Sequence, residues 1–164
     1  MTFILSPQLD SGANPNLHWE LYKSYLENNK KRFPKSVFET MENENWEGGS
    51  NTWSPYMSDV QSVEVKNINT NDSFCKIVLS KGDYLEKPIE IEIIYRGLLQ
   101  LDLPNSGGLC DGFPKTWRYN QFLVCDAWNE YQEKGNYFTH QIEFVGGNIL
   151  SISANNIEVI WRVT

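Results

Sequence analysis

Ile89, Ile91 and Ile93 alternate with Glu90 and Glu92, and this short run limits the possible folds more than any other part of the chain. Successive side chains of a strand point to opposite faces, so the isoleucines share one side and the glutamates the other. A strand wet on one side belongs to an antiparallel sheet with one covered face; strands of parallel sheets are buried on both. The same period recurs at Val63 and Val65, over residues 74–79, and onward from Ile89 to Leu103. Gly97 interrupts that last strand and marks a bulge or a bend. Residues 104–115 form a Gly- and Pro-rich connection, and residues 117–131 fit a strand or a short helix equally well.

Near the C-terminus Phe138, His140, Ile142 and Phe144 alternate on one face, and Leu150, Ile152 and Ala154 on another strand. A two-residue loop at Gly146-Gly147 would pair Phe144 with Ile149 and mix the faces. A three-residue loop, Gly146-Gly147-Asn148, pairs Phe144 with Leu150, Ile142 with Ile152 and His140 with Ala154, so the longer loop is expected. Ile157, Val159 and Trp161 continue as a final strand or as an extension past a bulge at Asn155-Asn156.

The N-terminal part reads as helix. Asn14 as cap and Pro15 at the first helical position open a helix over residues 14–28. Leu17, Leu21 and Tyr25 form its apolar stripe, widened by Tyr22 and Leu26. Pro34 opens a second helix to about Asn45, with Val37, Phe38 and Met41 inward and Glu39 and Glu42 outward. The expectation is one α+β domain over 1–164: a helical part at 14–46, a loop at 47–60 and a β part at 61–164. Two N-terminal helices then pack on a curved antiparallel sheet of about six strands, curled towards a half-barrel.

Residues 36–65 contain no Lys or Arg. They carry Glu39, Glu42, Glu44, Glu47 and Asp59 beside Trp46, Trp53 and Tyr56. A second cation-free run holds Asp126, Trp128 and Glu130. The net charge of the chain is −7. Acidic surface repels nucleic acid and anionic membrane, which are not expected as partners. A basic protein fits it well, with carboxylates steering the encounter and Trp or Tyr supplying adhesion. These eleven residues are the candidate partner site.

Catalytic chemistry finds no comparable support. His18 and His140 are the only histidines; His140 sits on the apolar strand face and reads as structural, His18 as solvent-facing. No nucleophile elbow, phosphate loop or metal-ligand spacing is present, so no enzyme, cofactor or metal is expected. Glu90 and Glu92 read as a solvated strand face rather than as a glycosidase pair. Cys75, Cys110 and Cys125 are odd in number and far apart, which suits reduced thiols in the cytoplasm. The run Phe3-Ile4-Leu5 is too short for a signal sequence, and no segment reaches bilayer-spanning length.

Three segments carry a family resemblance: Trp117-Arg118-Tyr119-Asn120-Gln121-Phe122, His140-Gln141-Ile142-Glu143-Phe144 with its glycine turn, and Ile157-Glu158-Val159-Ile160-Trp161. In these the chain resembles small bacterial immunity proteins of polymorphic-toxin and contact-dependent-inhibition systems. The resemblance implies an acidic, cytoplasmic protein without cofactors that binds a cognate toxin domain, such as a basic nuclease, and blocks it. A different class remains open: a carrier of a small hydrophobic ligand, with Trp117, Phe122, His140 and Trp161 lining a pocket under the curved sheet.

Overall fold

The computed structural model describes residues 15–46, 52–67, 72–82, 87–103, 116–125 and 136–164, with side chains described from Trp19 onward in the first helix. The fold is α+β, as expected. Helix α1 (Pro15–Asn29) runs through a 3₁₀ turn (Lys30–Arg32) into helix α2 (Lys35–Met41). One antiparallel sheet contains β1 (Asp59–Lys66), β2 (Phe74–Lys81), β3 (Ile89–Arg96) and β8 (Asn156–Val163), in the spatial order β1-β2-β3-β8. The other contains β4 (Gln100–Asp102), β5 (Trp117–Val124), β6 (Phe138–Phe144) and β7 (Ile149–Ala154), in the order β4-β7-β6-β5.

The two sheets share strands. β3 passes into β4 through residues 97–99, and β7 passes into β8 across Asn155 alone. The ladder continues around this corner: Asn155 N–H donates to the Arg96 carbonyl (3.2 Å) and Leu99 N–H to the Ser153 carbonyl (2.8 Å). Counted through their corners, the eight strands are six bent ribbons, which is how the sequence counts them. The outer ribbons meet at a seam, where Asp59 faces Thr116. There Met57 N–H donates to the Trp117 carbonyl (2.7 Å) and Trp117 N–H to the Ser58 carbonyl (2.9 Å).

Gly97 is the hinge of the corner. Its φ is +60°, and a Cβ built there would lie 2.4 Å from the Asn155 side chain. Gly97→Ala therefore combines left-handed backbone strain with a clash, and should destabilise the fold by about 1–3 kcal/mol. Urea unfolding of the variant measures this. Adding Asn155→Ala should recover the clash but not the backbone strain.

The alternation of the sequence maps directly onto burial. Ile89, Ile91, Ile93 and Tyr95 are buried, with Cys75, Ile77 and Leu79 on β2 and Ile157 on β8. The opposite face of that sheet carries a cross-strand ion ladder. Lys76 reaches Glu64 (3.2 Å) and Glu92 (3.7 Å), and Arg162 reaches Glu92 and Glu90 (3.3 Å). Glu90 and Glu92 are thus paired with cations across strands. In the second sheet Phe138, His140, Ile142 and Phe144 turn inward against Leu150, Ile152 and Ala154. Residues 117–124, ambiguous in sequence, are strand.

Several expectations need correction. The β6–β7 pairing is Ile142 with Leu150, His140 with Ile152 and Phe138 with Ala154, two residues away from the expected register. The loop has three residues as expected, but it is residues 145–147, closed by Phe144 N–H to the Asn148 carbonyl (2.9 Å). A shift of two preserves every side-chain face, so alternation alone cannot choose between the two registers. The choice follows from Val145, whose N–H is drawn to the Thr116 carbonyl (2.9 Å), and from Gly146 and Gly147, which take the positive φ angles of the turn.

Helix α1 buries Tyr22 and Leu26, with Trp19 and Tyr25 packed beside them, while Leu21 is half exposed. Its inward stripe is therefore rotated from the expected one. Helix α2 stops at Met41, earlier than Asn45, because the Asn43 side chain accepts the Asn45 N–H (2.9 Å) and turns the chain out of the helix. Strand β1 likewise opens at Asp59, slightly before the expected β boundary.

Candidate interaction face

Two turns follow α2 and lie side by side. Residues 42–46 form the first, and residues 52–58 the second. Ser54 Oγ donates to the Trp46 carbonyl (3.3 Å) and joins them. Beneath the second turn lies Lys81, at the inner end of β2. Its ammonium is nearly buried and donates to the carbonyls of Ser54 (3.1 Å) and Tyr56 (2.8 Å). Burial lowers the pKa of this lysine, and the two carbonyls supply the contacts that water would otherwise provide. Met57 sits in the left-handed region (φ 60°), pinned through its N–H to Trp117. The turn is thus held firmly from below.

The acids and the rings of this segment part company. Glu39, Glu42, Glu44 and Asp59 are exposed. Glu39 pairs with Lys35 one helical turn earlier (2.6 Å), and Asp59 accepts the Thr116 hydroxyl (2.6 Å). Trp46, expected as a docking anchor, is 4% exposed and belongs to the core. Its ring meets Trp117 edge-on (6.1 Å), Phe122 (5.9 Å) and His140 (5.8 Å). It offers a partner nothing, because an indole yields more free energy inside such a ring cluster than at the water interface. Trp53 is partly buried against the same core, and its carbonyl accepts the Trp161 indole N–H (3.0 Å). Tyr56 remains at the surface margin beside Tyr119 (6.3 Å). Glu47, Asp126, Trp128 and Glu130 lie outside the described residues.

The structure adds surface residues that the sequence reading missed. Tyr119 joins Tyr56, and the Arg118 guanidinium lies over the Tyr119 ring (4.9 Å). Met57 and Val145 are each about half exposed on either side of the seam. No local signal marked them, because the seam joins segments far apart in sequence. Nor is the segment cation-free in space: Lys35 pairs with Glu39 from the start of α2 itself, Lys76 of β2 pairs with Glu64, and Lys81 and Arg118 approach from β2 and β5.

Behind this face the interior is sealed by His140. Its Nε2 is 3.0 Å from Asn120 Oδ1 and its Nδ1 is 2.7 Å from the Tyr95 hydroxyl. Asn120 Oδ1 only accepts, so Nε2 carries the proton and Nδ1 accepts from Tyr95. The ring stacks on Phe122 at 4.2 Å and is fully buried. Burial pushes its pKa down to about 3 and holds it neutral. Both nitrogens are committed, so this histidine is built for packing and not for proton transfer. Of the residues considered as a ligand-pocket lining, Trp117, Phe122 and His140 gather with Trp46 in one ring cluster, while Trp161 is partly buried and donates its indole N–H to the Trp53 carbonyl.

Cys75 is buried, with its thiol pKa pushed up to about 12, and Cys125 is a second buried, unpaired thiol; Cys110 lies outside the described residues. Among the described residues no group of His, Cys, Asp and Glu gathers as a metal site, and no helix is long and apolar enough to cross a membrane. Comparison with protein-family models, with curated proteins and with solved structures finds no match.

Proposed function

We propose that the protein is an inhibitor of a basic protein partner: an immunity protein that neutralises a toxin domain in the cytoplasm. One observation carries this reading. Within the segment that lacks Lys and Arg, every described acid, from Glu39 through Glu42, Glu44 and Asp59 to Glu64, faces solvent. The turns that present Glu42, Glu44 and Asp59 are tied to each other and to the core, so the backbone that carries these carboxylates is held in place before any partner arrives. Preorganised charge of this kind accelerates encounter with a cationic surface and loses little entropy on docking. A nuclease suits it as a target, since its phosphate-binding surface is cationic and carboxylates can occupy the same positions. Adhesion falls to Tyr56 and Tyr119, with Met57 at their side, and Trp46 has no part in it.

Co-expression with the product of the neighbouring gene tests the reading. The expected result is that the neighbour arrests growth alone, that this chain restores it, and that the two purify as a complex. The variant Glu39→Lys/Glu42→Lys/Glu44→Lys should fold normally, because all three side chains are exposed, yet protect poorly. A non-toxic neighbour that forms no complex would overturn the proposal.

A further inference from the structure

Met57 holds a backbone conformation that its residue type disfavours. Its φ of 60° lies in the left-handed region, which suits Gly, Asn or Asp and strains an apolar residue. Packing gives little back, because the side chain is 48% exposed. Neither the backbone nor the core calls for methionine here. Strain that folding does not explain points to a function.

The peptide units on both sides of Met57 are fixed. The Tyr56–Met57 peptide is clamped at its two ends: its carbonyl accepts from the Lys81 ammonium (2.8 Å), and its N–H donates to the Trp117 carbonyl (2.7 Å). The peptide that follows donates through the Ser58 N–H to the Pro55 carbonyl (3.0 Å). The same ammonium also holds the Ser54 carbonyl (3.1 Å). A nearly buried lysine is thus spent on aiming one turn. Around Met57 the surface has an apolar centre and a charged margin. Val145 is half exposed across the seam, where its N–H donates to the Thr116 carbonyl (2.9 Å). The Asp59 carboxylate accepts the Thr116 hydroxyl (2.6 Å), and Arg118 pairs with Glu143 (3.8 Å). An apolar anchor with a polar rim is the usual anatomy of a docking site.

We infer that Met57 is the anchor of the docking face and Lys81 the positioning residue behind it. The partner then carries an apolar pocket for Met57, bordered by cations that face Asp59. This rests on the inhibitor function proposed above and adds the feature that its target must present. An unbranched, polarisable thioether suits the task, since it fills pockets of irregular shape. Because the main chain is already fixed, docking has only the side chain to order.

Met57→Asn separates this role from folding. Asparagine accepts the left-handed conformation and keeps the N–H that binds Trp117, so the urea midpoint of the variant should equal or exceed that of the wild type. Its affinity for the purified product of the neighbouring gene should fall at least about tenfold, chiefly through faster dissociation. Lys81→Met removes the ammonium; alone it should speed amide exchange at Met57 and weaken binding. Added to Met57→Asn it should weaken binding little further, because both changes act through one contact. Unchanged affinity of Met57→Asn would overturn the inference and leave the inhibitor reading standing, whereas a wild-type chain that forms no complex would remove both. A Met57→Asn variant less stable than the wild type would make the methionine a folding residue and overturn the inference as well. Full additivity of the two changes would strike out Lys81 as the positioning residue. If Lys81→Met does not fold, Met57→Asn decides alone on its stability and affinity.

Discussion

Trp46→Ala should lower the unfolding free energy by about 3–5 kcal/mol, the usual cost of truncating a large aromatic side chain in a packed core. For a chain of this length that corresponds to a fall in Tm on the order of 10 °C. The reason is local and specific. The indole touches Trp117, Phe122 and His140 at once, so its removal opens a cavity against three rings that are themselves fully buried. It also loosens the end of the turn that presents Glu42 and Glu44. Trp46→Phe should lose less, since it retains ring contact on part of the surface. Equilibrium urea unfolding of both variants checks the order. A loss below 1 kcal/mol for Trp46→Ala would place the indole outside the core.

The second large effect is a dependence of stability on pH. An unfolded histidine takes up a proton near pH 6.5, whereas His140 in the fold does so only near pH 3. Between those values the unfolded chain binds more protons than the native one, so lowering the pH favours unfolding. Above 6.5 both states are neutral at this position and its full contribution is present. Below that the contribution falls with a slope of up to about 1.4 kcal/mol per pH unit and is exhausted near pH 3. Carboxylates add their own acid dependence, so the measurement is a difference: unfolding free energies of the wild type and of His140→Gln at pH 7, 6, 5 and 4. The variant should be less stable at pH 7, because the stacking on Phe122 is lost, but should decline less steeply. Parallel curves would mean that His140 is not held neutral by the fold.

Much of the fold is legible in the sequence because burial and chain period are linked. Alternation at Ile89, Ile91 and Ile93 gave the wet-sided strand, and alternation at Phe138, His140 and Ile142 gave the inward face of β6. The register of the β6–β7 hairpin was not legible, since sliding by two residues leaves both faces intact; the deciding bond, Val145 to Thr116, links distant segments. The stripe of α1 was misjudged for a related reason. Leu21 and Tyr22 look equally apolar in a helical pattern, but only the tyrosine can satisfy the edge of β5. The candidate site was half legible. Glutamates near a helix end face water unless something pairs with them, so Glu39, Glu42 and Glu44 could be read. The fate of Trp46 could not, because indoles serve both cores and interfaces, and only the convergence of Trp117, Phe122 and His140 decides.

The most direct measurement is the rate of association between this chain and the purified product of its neighbouring gene, followed by stopped-flow as ionic strength rises. If exposed carboxylates steer the encounter, the wild-type rate constant should fall by an order of magnitude or more between low and high salt. The Glu39→Lys/Glu42→Lys/Glu44→Lys variant should then start slower and show little such fall. Rates that do not respond to salt, and that are unchanged by the three reversals, would contradict an electrostatic docking face.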